Sequence, residues 1–236
     1  MEMLKLVQTW NPIAGKKQEY AAFMTHEFQP LMKALGLDVV SGWYTLVGGM
    51  PPILVESLIA SLDQAENALH DERYVEMLDR FMNLVTHYSC RIFKPAGWMT
   101  RYHWRIPTPQ EVKYVQVWDV VPGEQEAHKR FVQEVHLPQM EAIELGVSAG
   151  WHLMVGSGCQ VLSEALAPDL TSIAKALCDE RYLRLMMRMD EVVTHYESSV
   201  MIRHQSLLDM VHRLHGRAIR AISLDVMHAM VGPMEE

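Results

Sequence analysis

The sequence predicts an α+β fold built from two tandem copies of one unit. An internal repeat, the order of strand and helix patterns within each copy, and strands that are apolar on both faces carry this prediction. Asp71-Glu72-Arg73-Tyr74 and Thr86-His87-Tyr88 return as Asp179-Glu180-Arg181-Tyr182 and Thr194-His195-Tyr196, each residue displaced by 108 positions. Extended without a gap, the shift aligns residues 4–94 with 112–202, and 30 of the 91 pairs are identical. A match this dense marks a duplication, and a duplication has to be read before any fold is assigned.

Each unit opens on a strand. Leu4 to Trp10 and Val112 to Trp118 are short and rich in strand formers, and Asn11-Pro12 and Val121-Pro122-Gly123 end them. From Lys16 to Leu35 the period becomes helical, with Tyr20, Phe23, Met24, Leu31 and Leu35 near one face. Pro30 lies inside this helix, and Pro138 inside its counterpart. A proline there lacks the backbone donor, so both helices should kink or restart. Val39 to Val47 reads as the second strand, closed by Gly48-Gly49 and in the other copy by Gly156-Ser157-Gly158. Ile53 to Leu58 and Val161 to Leu166 read as the third.

Ala65 to Tyr88 reads as one long second helix, with Tyr74, Met77, Leu78, Phe81, Leu84, Val85 and Tyr88 on its apolar arc. On that helix Arg73, Arg80 and His87, repeated as Arg181, Arg188 and His195, fall on one side and form either a solvated flank, with Glu76 pairing Arg80, or an anion-binding stripe or subunit contact, the flank being the plainer role. Cys90 to Lys94 and Ser198 to Ile202 are the fourth strands. The order β-α-β-β-α-β is ferredoxin-like. It gives repeats over 1–94 and 112–203, a linker over 95–111 and a C-terminal helical extension over 204–236. Prolines 95, 107 and 109 stiffen the linker, while Trp98, Tyr102 and Trp104 give it apolar surface to bury. In the extension, Leu207, Val211, Leu214, Ala218, Ile222 and Val226 form an apolar stripe that should cover a sheet edge or a contact with a second copy.

A ferredoxin-like sheet covers one face with its helices and leaves the other bare. Val39, Val40, Trp43, Tyr44, Leu46 and Val47 place apolar groups on both faces of the second strand, as a strand buried on two sides does. Two units can bury their bare faces against each other and close a pseudo-twofold barrel. In this element order the chain resembles the dimeric α+β barrel superfamily in its fused, single-chain form. It more closely resembles the NIPSNAP and EthD-type branches, whose first helix often carries a His-x-Pro-like step before a Leu-Gly turn. Here that step is His136-Leu137-Pro138 with Leu145-Gly146, while the first copy has Phe28-Gln29-Pro30. The resemblance implies a pocket inside the barrel and a cofactor-independent enzyme, monooxygenase- or isomerase/cyclase-like, acting on a small apolar molecule. It implies equally a non-catalytic ligand-binding or assembly protein of NIPSNAP type. Some fused barrels of the superfamily bind haem. No residue here matches a haem motif, so no cofactor is expected.

The candidate site residues follow from burial. A polar strand residue between two sheets needs a partner, since an unpaired polar group there costs several kcal/mol, roughly 2–7. Gln8 and Gln116, and Glu56 and Glu164, are such residues in both copies and are expected to line the pocket and orient a ligand. Trp43 and Trp151 are expected to pack on it, with core packing the plainer role for both. The second copy has His136 and His152 where the first has Phe28 and Tyr44. These histidines are the acid–base candidates, titrating near neutral pH where a substrate reaches them.

Composition limits the remaining classes. A net charge of −8 disfavours a general nucleic-acid surface. Three cysteines, Cys90, Cys159 and Cys178, make no even framework and no CxxC pair, which disfavours disulfide scaffolding and structural zinc. His212-x-x-His215 has helical spacing for two metal ligands and no third. No apolar run reaches membrane-spanning length and no signal-peptide pattern opens the chain, so a cytoplasmic protein is expected.

Overall fold

The computed structural model describes residues 3–100 and 105–203. The C-terminal extension expected over 204–236, its apolar stripe, the oligomer contact assigned to it and the His212/His215 pair lie outside the described residues. So do Tyr102 and Trp104.

The first copy runs β1 (Leu4–Pro12), α1 (Lys17–Phe23), α2 (Gln29–Ala34), β2 (Asp38–Gly48), β3 (Ile53–Ile59), α3 (Leu62–Leu69), α4 (Glu72–Phe81) and β4 (Val85–Pro95). The second repeats it as β5 (Val112–Val120), α5 (Gln125–Phe131), α6 (Leu137–Ala142), β6 (Val147–Val155), β7 (Val161–Ala167), α7 (Leu170–Leu177), α8 (Glu180–Met189) and β8 (Val193–Arg203). All eight strands join one closed antiparallel barrel in the order β1-β3-β2-β8-β5-β7-β6-β4. Within a copy β1 lies between β3 and β4, and the copies are sewn together where β2 meets β8 and β4 meets β6. Closure leaves no free strand edge in the barrel. No helix among the described residues is long and apolar enough to cross a membrane.

Three layers of side chains result. Even-numbered residues of the first strand of each copy (Leu6, Gln8 and Trp10, then Tyr114, Gln116 and Trp118) face the helices, while Lys5, Val7, Lys113, Val115 and Val117 face inward. Each copy therefore has its own helix–sheet core. A third cluster, with Trp43, Leu54, Phe93, Val115, Trp151 and Met201, fills the barrel interior and belongs to both copies.

Two expectations about the helices are corrected. The segment from Ala65 to Tyr88 is not one helix. Asp71 adopts an extended conformation and its carboxylate accepts from the Arg73 backbone N–H, so it caps a new helix, and Asp179 does the same before Arg181. The chain leaves that helix before Val85, so Thr86-His87-Tyr88 and Thr194-His195-Tyr196 lie on strands, with His87 and His195 at positive φ. The Arg73/Arg80/His87 stripe therefore does not exist. Arg73 grips Asp71, Arg80 binds Glu27 in the turn between α1 and α2 instead of Glu76, and His195 lies 3.0 Å from Asp119. The proline expectation takes a definite form: a π turn precedes each proline, at Met24–Phe28 and Val132–His136, and the α-helix restarts with the proline in its first turn. The missing donor is absorbed by one widened turn.

After β4 the chain forms a 3-10 turn, Gly97–Met99, against the second copy. The Ala96 N–H donates to Gly150 O at 2.8 Å, and the Thr100 hydroxyl donates to Val147 O at 2.8 Å. Gly150 is required at this crossing, because a Cβ there would stand 2.3 Å from Met99 Cβ.

Candidate active site

The barrel interior is not an open pocket. Lys5, Glu56, Lys113 and Glu164 meet at its centre, all essentially without solvent exposure. Lys5 Nζ donates to Glu56 Oε1 at 2.8 Å and Glu164 Oε2 at 2.6 Å. Lys113 Nζ donates to both Glu56 oxygens at 2.7 Å and to Glu164 Oε1 at 2.6 Å. Trp43 Nε1 donates to Glu56 Oε2 at 2.8 Å, Trp151 Nε1 donates to Glu164 Oε2 at 2.9 Å, and the Ser41 hydroxyl also donates to Glu56. The ammonium groups lie over the indoles, Lys5 4.2 Å from the Trp151 ring centre and Lys113 4.6 Å from that of Trp43. Two positive and two negative charges cancel, which is the condition for leaving ions in a dry core. Burial opposes ionisation of Glu56, yet Lys113 and Lys5 outweigh it and hold the carboxyl well below its ordinary range. Burial likewise opposes the charge on Lys5, and Glu164 and Glu56 overcome it, so its pKa is raised.

The expectation that Glu56, Glu164, Trp43 and Trp151 orient a ligand in a central pocket is therefore corrected. Their polar atoms are engaged with one another and with two lysines, and they fill the space a ligand would take. Gln8 and Gln116 do not share that space, because strand alternation turns them to the opposite face, under the helices.

There the two copies differ. In the first, Gln8 Nε2 donates to the hydroxyls of Tyr74 (3.0 Å) and Tyr88 (2.7 Å), and Gln8 Oε1 is buried without a protein partner. In the second, Gln116 Nε2 donates to Tyr196 at 2.8 Å, while Gln116 Oε1 lies 3.1 Å from His136 Nε2. With its amide nitrogen committed to Tyr196, Gln116 accepts, so His136 carries its proton on Nε2 and leaves Nδ1 as a buried lone pair without a protein partner. The Tyr196 hydroxyl also lies 3.2 Å from that of Tyr114, which bonds Tyr182. His136 reaches this position because it is the last residue of the π turn before Pro138.

A second histidine lies alongside. Trp118 Nε1 donates to His128 Nε2 at 2.9 Å, where the first copy has Trp10 donating to Tyr20. Trp98 of the linker covers His128 and His152, with ring centres 5.8 and 5.6 Å away. Burial pushes His136 down to about 4, with the neighbouring His128 adding to the effect. Burial pushes His128 down to about 4 as well, helped by His152. His152 is lowered by burial and then by Lys94. His152 thus packs under the linker, one histidine removed from His136, and the two acid–base candidates do not meet.

An open cleft of about 390 Å³ flanks this network, lined by Leu183, Met186, Met187, Met189, Asp190 and Tyr196. Its walls are apolar and methionine-rich, and Tyr196 is where it meets the hydrogen-bond chain to Gln116 and His136. A cleft of about 410 Å³ on the first copy is lined instead by Glu19, His26, Glu27, Arg80 and neighbours. Among the described residues no group of three histidine, cysteine or acidic side chains is arranged to hold a metal. His128 and His136 both pack edge-on against Trp118, with ring centres 6.0 and 5.8 Å away.

Sequence reasoning missed the lysines, the tyrosines and His128. Lys5/Lys113 were visible as an identical polar pair on a strand. Tyr196 was visible in the repeated Thr-His-Tyr, where it was placed on a helix.

No protein-family model matches the chain, and none of the curated proteins does. Solved structures do. An anthrone oxidase-like protein superposes with a TM-score of 0.61 at 14% identity, over 86% of this chain and 92% of that one. A monooxygenase candidate from Lactobacillus acidophilus gives 0.54 at 10% identity, over 86% and 94%. A NIPSNAP family protein from Agrobacterium tumefaciens, 21% identical, matches 40% of this chain and 94% of its own at 0.35. The first two likenesses show the fold alone, an α+β barrel.

Proposed function

We propose that the chain is a cofactor-independent acid–base enzyme for a small, largely apolar molecule, and that its site is the helix–sheet layer of the second copy, not the barrel interior. One observation carries the reading. Tyr196 forms part of an apolar cleft and is tied through Gln116 to a buried histidine, in the copy that has His136 where the other has Phe28. The ligand lies against Leu183 and the methionines with one polar atom at the Tyr196 hydroxyl. Tyr196 is the catalytic residue, exchanging a proton with that atom or the adjacent carbon. As the proton leaves Tyr196, the Gln116 N–H and the Tyr114 and Tyr182 hydroxyls face the oxygen that takes up the charge. His136 is a positioning residue: its Nε2–H fixes the Gln116 amide, which fixes Tyr196. The name of one structural neighbour, anthrone oxidase-like, supports a substrate with an acidic C–H. Isomerisation and cyclisation need only the proton transfer. Oxygenation needs dioxygen as a second substrate to accept the electrons.

A second reading, a non-catalytic assembly or carrier protein, is favoured by the filled barrel interior. Anthrone is the first probe, assayed by absorbance and oxygen uptake. Tyr196→Phe should lose about 10²–10⁴-fold in rate. His136→Phe should lose less, and His136→Gln, which can still donate to Gln116, should recover part of that loss. His152→Tyr should stay near the parent. Binding at the cleft without turnover in any variant favours the carrier, and neither binding nor turnover favours assembly.

A further inference from the structure

At one mouth of the barrel the copies have exchanged a hydrogen-bond acceptor for a cation. There the turn between β2 and β3 passes over β8, and the turn between β6 and β7 passes over β4. In the first of these turns the Met50 N–H donates to the Ser199 hydroxyl at 3.0 Å, and the Met50 side chain is buried in the barrel interior. At the repeat offset Gly158 matches Met50, and Arg91 matches Ser199. The second turn therefore has neither the apolar plug nor the hydroxyl. A guanidinium stands where the acceptor stood, and among the described residues the Gly158 N–H finds no acceptor.

Arg91 is poorly matched by its surroundings. It pairs with Val7 across β1 and so shares the inward face of the barrel. Its Nη2 makes one long bond, 3.3 Å to the Thr9 hydroxyl, and its Nε is buried without a protein partner. Among the described residues it has no carboxylate partner. Burial pushes its pKa down, and the neighbours that oppose this are the thiols of Cys159 and Cys90, not acids. Two acids near Cys159 turn elsewhere. Asp119 accepts from the Gln160 N–H at 2.7 Å and lies 3.0 Å from His195 Nδ1, while Glu197 lies against Gly49. The turn is shaped to the guanidinium: a Cβ on Gly156 would stand 2.8 Å from Arg91 Cγ, and one on Gly158 would stand 3.1 Å from Arg91 Nη1. Gly156, Ser157 and Gly158 are exposed, so the place opens to solvent.

We propose that this mouth binds a small oxyanion, with one oxygen on Arg91 Nη1 and another on the Gly158 N–H. Charge sets the ligand class. A half-buried guanidinium without a counter-ion favours an anion, and adjacent side-chain and backbone donors favour one with two or more oxygens. Phosphate and carboxylate groups share that chemistry. The site has no residue in common with the Tyr196 network and stands whether or not that network transfers protons.

Calorimetric titration of the full chain with sodium phosphate and, separately, with sodium acetate tests this, with chloride holding the ionic strength constant. One saturable site per chain is expected. Tighter binding of phosphate assigns the mouth to phosphate groups, and tighter binding of acetate assigns it to carboxylates. No saturable binding of either overturns the proposal. Arg91→Ser, which copies the first copy's residue into the second, should weaken binding by about 10–100-fold, the range for a hydrogen bond to a charged group. At ten times its dissociation constant the anion should raise Tm by about 3–6 °C, and the rise should vanish in Arg91→Ser. An equal rise in Arg91→Ser is a general salt effect on the folded state and overturns the proposal. Where Arg91→Ser does not fold, Arg91→Lys carries the test, because it keeps the charge and loses the planar donor edge. Weaker binding by Arg91→Lys supports the contact, and unchanged affinity refutes it.

Discussion

Replacing Glu56 with glutamine should be among the most destabilising isosteric changes in the chain. Glu56 accepts from Lys5, Lys113, Trp43 and Ser41 in a site it shares with Glu164. Glutamine keeps the volume and removes one negative charge, leaving two buried ammonium groups with a single carboxylate. Breaking a buried ion pair from one side costs about 3–5 kcal/mol. At about 2–4 °C per kcal/mol for a chain of this size, Tm should fall by roughly 6–20 °C. The pH dependence has a definite sign. The Glu56 pKa is depressed below 4.5 in the folded state, so its contribution is present above that value and is lost as pH falls through the folded pKa. The Lys5 pKa is raised above 10.5, so its contribution is present below 10.5 and is lost as pH rises through the folded pKa. Urea unfolding between these limits should show a plateau, and Glu56→Gln should flatten the acid limb. Adding Lys113→Met restores neutrality around the remaining Lys5–Glu164 pair at 2.6 Å. The double variant should therefore be less destabilised than the sum of the single changes. Additive costs, or a Glu56→Gln loss under about 1 kcal/mol, would falsify the account of the interior as a balanced set of charges.

Two further outcomes are open to direct measurement. His136 and His128 should remain neutral down to a pH of about 4 in an NMR titration. Because the unfolded chain takes up those protons near 6.5, stability should decline between about 6.5 and 4, by up to about 3 kcal/mol for His136 at 1.36 kcal/mol per pH unit. A His136 that titrates near 6.5 would remove the argument for its burial as a neutral base. Glu144→Gly should raise stability by about 1 kcal/mol in urea unfolding, because Glu144 has φ 63° where the first copy uses Gly36 at φ 72°. Its ion pair with Lys175 is exposed at both ends and contributes little. A stability loss would show that this pair matters more than the backbone.

The fold was legible because duplication presents the same evidence twice: the element order, the proline in each first helix and the apolar strands all recur. The site was legible only in part. That the second strand is apolar on both faces could be read from Val39 to Val47, although Val39 and Val47 themselves are exposed; which parity faces inward could not, so Gln8 and Gln116 were grouped with Glu56 and Glu164. Lys5 and Lys113 carry the missing charges, and their partners lie far away in sequence, Glu164 being 159 residues from Lys5. No local pattern announces such a pairing. The helix boundary was misread because the apolar period runs on from α4 into β4. The capping signal at Asp71 was present, inside the motif that exposed the repeat.

The way the copies have diverged follows from the same layers and leads to one more prediction. The charged centre of the interior faces both copies, so a change in one must suit the other; Lys5/Lys113, Glu56/Glu164 and the indoles Trp43/Trp151 are identical pairs, while the pairs Phe93/Met201 and Thr9/Val117 around them differ. Each helix–sheet layer is built mainly from its own copy, with Tyr44 and Leu46 also packing against the second, and is freer to differ; Leu6/Tyr114, Tyr20/His128, Phe28/His136 and Tyr44/His152 do. The backbone frame under these side chains has barely changed. Phe28 meets Trp10 at 5.7 Å and 62°, and His136 meets Trp118 at 5.8 Å and 61°. Gln8 Oε1 is buried there without a protein partner, in the place where Gln116 Oε1 receives the histidine. Phe28→His should therefore be tolerated, although it puts a polar ring into an apolar core. The new Nε2–H would reach Gln8 Oε1, and the gained bond, about 1 kcal/mol, offsets part of the lost apolar burial. The expected net cost at pH 7.5 is about 1–2 kcal/mol, against 3–5 for truncating the same residue to alanine. Gln8→Leu should remove the offset and make Phe28→His more costly. Urea unfolding of the two single variants and the pair measures that coupling, and its absence would mean that the first copy no longer holds the frame in which the second copy's histidine works.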